Sequence, residues 1–248
     1  MSMFNYNQNN ENTFVNVNTG DIAVPRTFIN HVFSWMAIAL GITAFFAYYF
    51  STNAAFISSL LVQTEKGMGM SGLGWVVMLA PLAFVLIMSF GFNKFSASVL
   101  TLLFVIYSFL MGMSLSFIFL VYTGTSIFLT FAVTAATFGV MAIAGYTTKV
   151  DLSKFGAIMF MGLIGIIIAS LVNMFMRSQT MDYVISIIGV LVFTGLTAWD
   201  VQKLKRIGSQ IDASSEPARK YVIMGALTLY LDFINLFLFL LRFLGNRK

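Results

Sequence analysis

Seven long apolar runs, at residues 28–50, 73–92, 97–120, 126–147, 155–176, 183–206 and 219–244, follow one another with short polar breaks. Each is near or above the ~20 residues that an α-helix needs to cross a hydrocarbon core about 30 Å thick. Backbone in lipid must satisfy its own hydrogen bonds, so such runs are either helices or strands of a closed barrel. They are unbroken and do not alternate every second residue, which speaks against the barrel. The sequence therefore predicts an all-α integral membrane protein with seven transmembrane helices. Charge agrees with this: of 248 residues, 9% are charged and 59% apolar, whereas soluble domains carry about 25% charged residues. That excludes a soluble enzyme. The net charge of +5 reads as cationic loops facing one leaflet and not as nucleic-acid binding.

The first twenty positions hold seven Asn and show no apolar periodicity. Residues 1–24 are thus expected to form a disordered cytoplasmic tail ahead of a single membrane domain, 25–248. The tail lacks the basic and apolar regions of a secretory signal, so the first helix should stay in the membrane. Segment 51–72 reads as the longest loop of the first half. Basic residues then set the orientation. With the tail inside, that side carries Arg26, Lys94, Lys149, Lys154, Lys203, Lys205, Arg206, Arg219 and Lys220. The other side carries Lys66, Arg177, Arg247 and Lys248, and Arg242 falls within the last run. The positive-inside rule places the N-terminus in the cytoplasm and the C-terminus opposite.

Three charges lie inside runs: Asp200 in the sixth, and Asp232 and Arg242 in the seventh. An ionisable group within a bilayer costs upward of about 2.5 kcal/mol and normally faces the bundle interior. In the last run Thr228, Asp232, Asn235 and Arg242 are spaced +4, +3 and +7, which puts them on one narrow helical face. Asp200 has Thr197 three residues before it on a modest polar face and Lys203 three residues after it. A plainer reading makes Asp200 an i,i+3 partner of Lys203, and Asp232 a bond to neighbouring backbone. Runs 6 and 7 are antiparallel neighbours, so Asp200 and Asp232 can reach similar depth. Two carboxyl groups that meet share a proton, and losing it sets two negative charges against each other. Such a pair is a pH-sensitive latch. Ionised, it attracts cations, but two Asp fall short of the 6–8 oxygens of a calcium cage. A transient Ca²⁺ site fits better, with Thr197, Thr228 and Asn235 lining the path.

Weaker signals surround this pair. His31 reads as interfacial, and Thr130, Thr134 and Thr137 as interhelical glue. Gly162, Gly165, Ala169 and Asn173 form a small-residue packing face. There is no Cys, and the 16 Met read as packing, not copper ligands. Walker, H-E-x-x-H and G-x-S-x-G motifs are absent, so no enzymatic activity or cofactor is expected. The two Asp invite comparison with intramembrane aspartyl proteases. However, Leu229, Tyr230 and Leu231 precede Asp232, not the G-x-G of those enzymes, and the last run has no internal proline.

The segments LTLYLDFINLFLFLLRFLG and GLTAWDVQKLK resemble the last two helices of the Bax inhibitor-1 (transmembrane Bax inhibitor motif) family. FSWMAIALGITAFFAYYF, GMSLSFIFLVYTGTSIFLTFAVTAATFG and FMGLIGIIIASLVNMF are similar to its bacterial members. The resemblance covers about residues 24–245. It implies a seven-helix fold with the last helix central, surrounded by the other six, and a pH-sensitive calcium leak. It also implies a proton-responsive pair at Asp200 and Asp232. The family's arginine near the end of helix 2, which can pair with that dyad, corresponds to Lys94, which keeps the charge but loses the bidentate fork. Arg242 is a second possible charge partner. The expected partners are the lipid bilayer, Ca²⁺ and protons, and the expected location is a bacterial inner membrane. The alternative is a regulatory protein that binds a membrane protease through its tail.

Overall fold

The structure, a computed structural model, describes residues 26–64, 67–212 and 215–248. The Asn-rich tail and the Glu65–Lys66 pair lie outside the described residues. All seven apolar runs are helical. They are α1 (Arg26–Thr52), α3 (Gly72–Gly91), α4 (Ala97–Leu115) continued by the short α5 (Ile118–Val121), α6 (Gly124–Thr147), α7 (Ser153–Met176), α8 (Gln179–Gly208) and α9 (Glu216–Leu244). The chain is an integral membrane protein.

Helix starts follow from short polar side chains at the breaks. Ser71, Ser96, Thr123, Ser178 and Ser215 each accept a hydrogen bond from the backbone N–H three residues on. These caps satisfy donors that the first turn leaves free. α7 has no such cap at Leu152. Its entry is held from outside, because the Gln202 side chain of α8 accepts from Leu152 N–H at 2.8 Å and donates to the Val150 carbonyl at 2.7 Å.

Segment 51–72 is more than the loop expected from sequence. α2 (Ala54–Leu60) is capped by Asn53, and β1 (Leu61–Thr64) pairs antiparallel with β2 (Gly67–Met70), Leu61 opposite Met70. Elements of four to seven residues are too short to produce a clear period in sequence.

The last helix is central. It packs against α8, α1, α6 and α4, whereas α3 and α7 pack mainly on the outside of α4 and α8. The ring around α9 is therefore uneven, with four direct neighbours and two outer helices. Close approach between α6 and α8 depends on Gly145, since a Cβ there would run into the backbone of Ala198. On the α8–α9 seam Gly189 makes room for the ring of Phe239, and Gly225 for Leu204. Gly162 of the small-residue face meets Val192 of α8, but Gly165 beside it faces open space. Cations gather at the two ends of the bundle. The end holding the start of α1 is called the N-face below, and the end holding the close of α9 the C-face.

Candidate site: a buried carboxyl pair between the last two helices

Asp200 and Asp232 come together. Asp200 leaves α8 and Asp232 leaves α9, both are nearly fully buried (6% and 5% exposed), and their carboxyl groups lie within hydrogen-bonding reach. The glycine seam of α8 and α9 allows that approach, and antiparallel packing puts both residues at one depth. Oδ2 of Asp232 is buried with no hydrogen-bond partner. A buried acceptor left unsatisfied costs about 1–3 kcal/mol. A proton held between the groups, with one carboxyl O–H donating to the other, removes that cost and the repulsion.

The lining residues spend their donors locally. The Thr197 hydroxyl donates to the Phe193 carbonyl at 2.7 Å, Thr228 to Met224 at 3.0 Å, and the Asn235 amide to Leu231 at 2.8 Å. Thr197 is fully buried, whereas Thr228 and Asn235 are half-buried on a stripe of α9 that continues to Arg242. Asp232 stands at the edge of that stripe. The narrow polar face read from sequence is therefore split, with its carboxylate buried and its amide and hydroxyl partly open.

Neither expected charge partner reaches the pair. Arg242 lies ten residues beyond Asp232, about 15 Å along the helix. There it pairs with Asp182 at 3.4 Å and stands over the Phe239 ring. Lys94 is exposed in the α3–α4 loop and forms no ion pair among the described residues. The cation that acts on Asp200 is Lys203, one turn on; its ammonium stands over the Trp199 ring and forms no ion pair with Asp200. No group of three His, Asp or Glu side chains gathers among the described residues. A calcium ion at the pair would have to keep much of its water.

Two features of the site were missed in the sequence. One is the grip of α8 on the α6–α7 loop. Besides Gln202, Lys205 donates to the Tyr146 carbonyl at 2.8 Å, and Arg206 pairs with Asp151 at 3.2 Å and bonds Ser153. Hydrogen bonds from Ser153, chiefly the backbone N–H, together with Arg206 hold the exposed Asp151 carboxyl below the usual carboxylate range. The other is a buried link from α1 to α9. Thr43 donates to the Ser108 carbonyl at 2.9 Å and shares a 2.7 Å hydrogen bond with the Tyr230 hydroxyl. A tyrosine two residues before Asp232 was the available signal, since a buried phenol needs a partner.

Comparison with known proteins gives the family. The family described as "Inhibitor of apoptosis-promoting Bax1" matches residues 25–248. The chain belongs to the Bax inhibitor-1 family. This Bax inhibitor-1 chain is 50% identical to the inner membrane protein YbhL of Escherichia coli (strain K12) over 224 residues, 90% of this chain and 93% of the relative. It is 44% identical to a Borreliella burgdorferi protein over 228 residues, 92% of this chain and 95% of the other. A Rickettsia prowazekii protein, RP147, is 44% identical over 223 residues, 90% and 91% of the two chains.

Proposed function

We infer that this Bax inhibitor-1 protein is a proton-responsive leak for cations, mainly Ca²⁺, with the Asp200–Asp232 pair as its gate. The observation that carries the reading is the juxtaposition of two buried carboxyl groups on the two most enclosed helices, one with an unpartnered oxygen. A shared proton ties α8 to α9; its loss drives the carboxylates apart and gives a hydrated cation a place to pause. The path is transient, lined by Thr197, Thr228 and Asn235, and no catalytic step or resident cofactor is assigned. The location of YbhL and the excess of basic residues at the N-face support an inner membrane with the N-face in the cytoplasm.

The test is calcium-dye flux into liposomes containing the purified protein. Asp232→Asn should abolish the pH dependence of flux, because an amide neither gives up a proton nor bears the charge. Flux with unchanged pH dependence in that variant would overturn the gate. If the wild-type protein is folded but shows no flux, the regulatory reading remains, in which the chain binds a membrane protease or another membrane partner.

A further inference from the structure

Between α1 and α6, in the half of the bundle nearer the C-face, a slot of about 450 Å³ opens sideways, with α9 as its floor. That size lies within the range of sites that hold small molecules. Along α1 it runs from Leu40 to Tyr48, eight residues or about 12 Å of helix. Its upper end is Gly124, the first residue of α6. The slot therefore starts at the membrane surface and covers roughly the outer third of a hydrocarbon core about 30 Å thick.

The floor is closed and the rim is open. Ile234 and Phe237 of α9 are 5% and 4% exposed, whereas Tyr48 and Phe128 at the rim are 63% and 71% exposed. The lining is almost wholly apolar, and the hydroxyl of Thr43 at its edge is already engaged by Ser108 and Tyr230. At this depth no water is available to fill a groove, and nothing in the slot would bond to it. The mouth has the opposite character. Lys248 donates to the carbonyl of Phe119, a lining residue, at 2.7 Å, which fixes an exposed ammonium at the C-face end of the slot. An ammonium has three donors, so two remain free.

An apolar groove at hydrocarbon depth with a cation over its mouth is complementary to one occupant. The geometry points to a site for a single phospholipid of the C-face leaflet, one acyl chain lying against Ile234 and Phe237 and its phosphate on Lys248. The convex face of α7 offers lipid a surface but no floor; its Ile164, Ile168 and Leu171 are all exposed. A chain in the slot also presses on α9 two residues from Asp232.

Native mass spectrometry of the full chain in detergent, titrated with phosphatidylglycerol, tests the site. The wild-type protein should retain one phospholipid after delipidation. Ala44→Phe fills the slot from its exposed wall, and Gly124→Leu adds a side chain that begins in open space. Each should lower retention about tenfold. Lys248→Gln should lower it less, and Ile168→Phe on α7 should leave it unchanged. Two slot variants guard against one failing to fold, which the helical circular dichroism signal reports. Equal retention in the wild-type, slot-filling and α7 variants would overturn the site. A changed oligomeric mass with lipid retention intact would assign the slot to a helix of another chain and would overturn it equally.

Discussion

α7 and α9 are helices of similar length with opposite environments. α7 is the most apolar of the seven spans, yet only 11% of its most apolar stretch is buried within the protein; for the less apolar α9 the figure is 67%. In water the order would be reversed, because the hydrophobic effect drives the most apolar helix inward. In a bilayer, lipid is as apolar as leucine, so apolarity alone draws nothing inward. Polar groups and close packing decide the centre instead. α9 carries Asp232, Asn235, Thr228 and Tyr230, and α8 brings Asp200, Thr197 and Gln202 to meet it or its neighbours. α7 contributes chiefly Gly162 and Gly156 to a one-sided contact with α8.

Matched substitutions on the inner and outer helices test this contrast. The largest effect is expected at the inner glycines. Gly145→Leu would drive a side chain into the α8 backbone at Ala198 and should destabilise the fold by about 4 kcal/mol, whereas Gly165→Leu on α7 should change it by less than about 0.5 kcal/mol. Denaturant unfolding in detergent measures both, and equal losses would erase the distinction between inner and outer helices. Next come apolar truncations. Leu229→Ala, at a fully buried position of α9, should cost about 3 kcal/mol, and Leu171→Ala, exposed on α7, close to nothing.

The smallest effect is expected where water screens the interaction, at the grip of α8 on the α6–α7 loop. Asp151 has a lowered pKa in the folded protein, so its stabilisation is present above the unfolded carboxylate value near 4 and fades as pH falls through the folded value. Asp151→Asn should therefore lower the unfolding midpoint slightly at neutral pH, and the gap should close in acid. A gap that widens in acid would reverse the assignment. The Arg206–Asp151 pair is exposed, and such pairs contribute little.

The seven spans were legible because a run of twenty apolar residues permits one structure in lipid, and five of them start at a Ser or Thr cap. The central place of α9 came from the family resemblance, although Asp232 with Thr228 and Asn235 already marked one face as inward. The meeting of Asp200 with Asp232 was also readable, since antiparallel neighbours joined by a short loop have few registers. Arg242 lies within the last span as read, but near its end and too far along the helix to pair with the carboxyls. It stands in the last turn of α9, where Asp182, the first-turn acid of α8, is available to pair with it. Lys94 was matched to an arginine of the family by its place in the sequence, and it is exposed in the α3–α4 loop with no ion pair among the described residues. Gln202 escaped notice because its partners are backbone groups some fifty residues away, and no local spacing encodes such a contact.

The central position of α9 also has a bearing on the order in which the site's parts are made. Translation runs from the N-terminus, so six spans are made before the one on which α1, α4, α6 and α8 pack. Until then Asp200 has no carboxyl beside it, whereas the hydroxyls of Ser108, Thr134 and Thr197 are held by carbonyls one turn back in their own helices. The carboxyl that Asp200 meets thus lies on the last span to be made, and the pair cannot exist before α9 does.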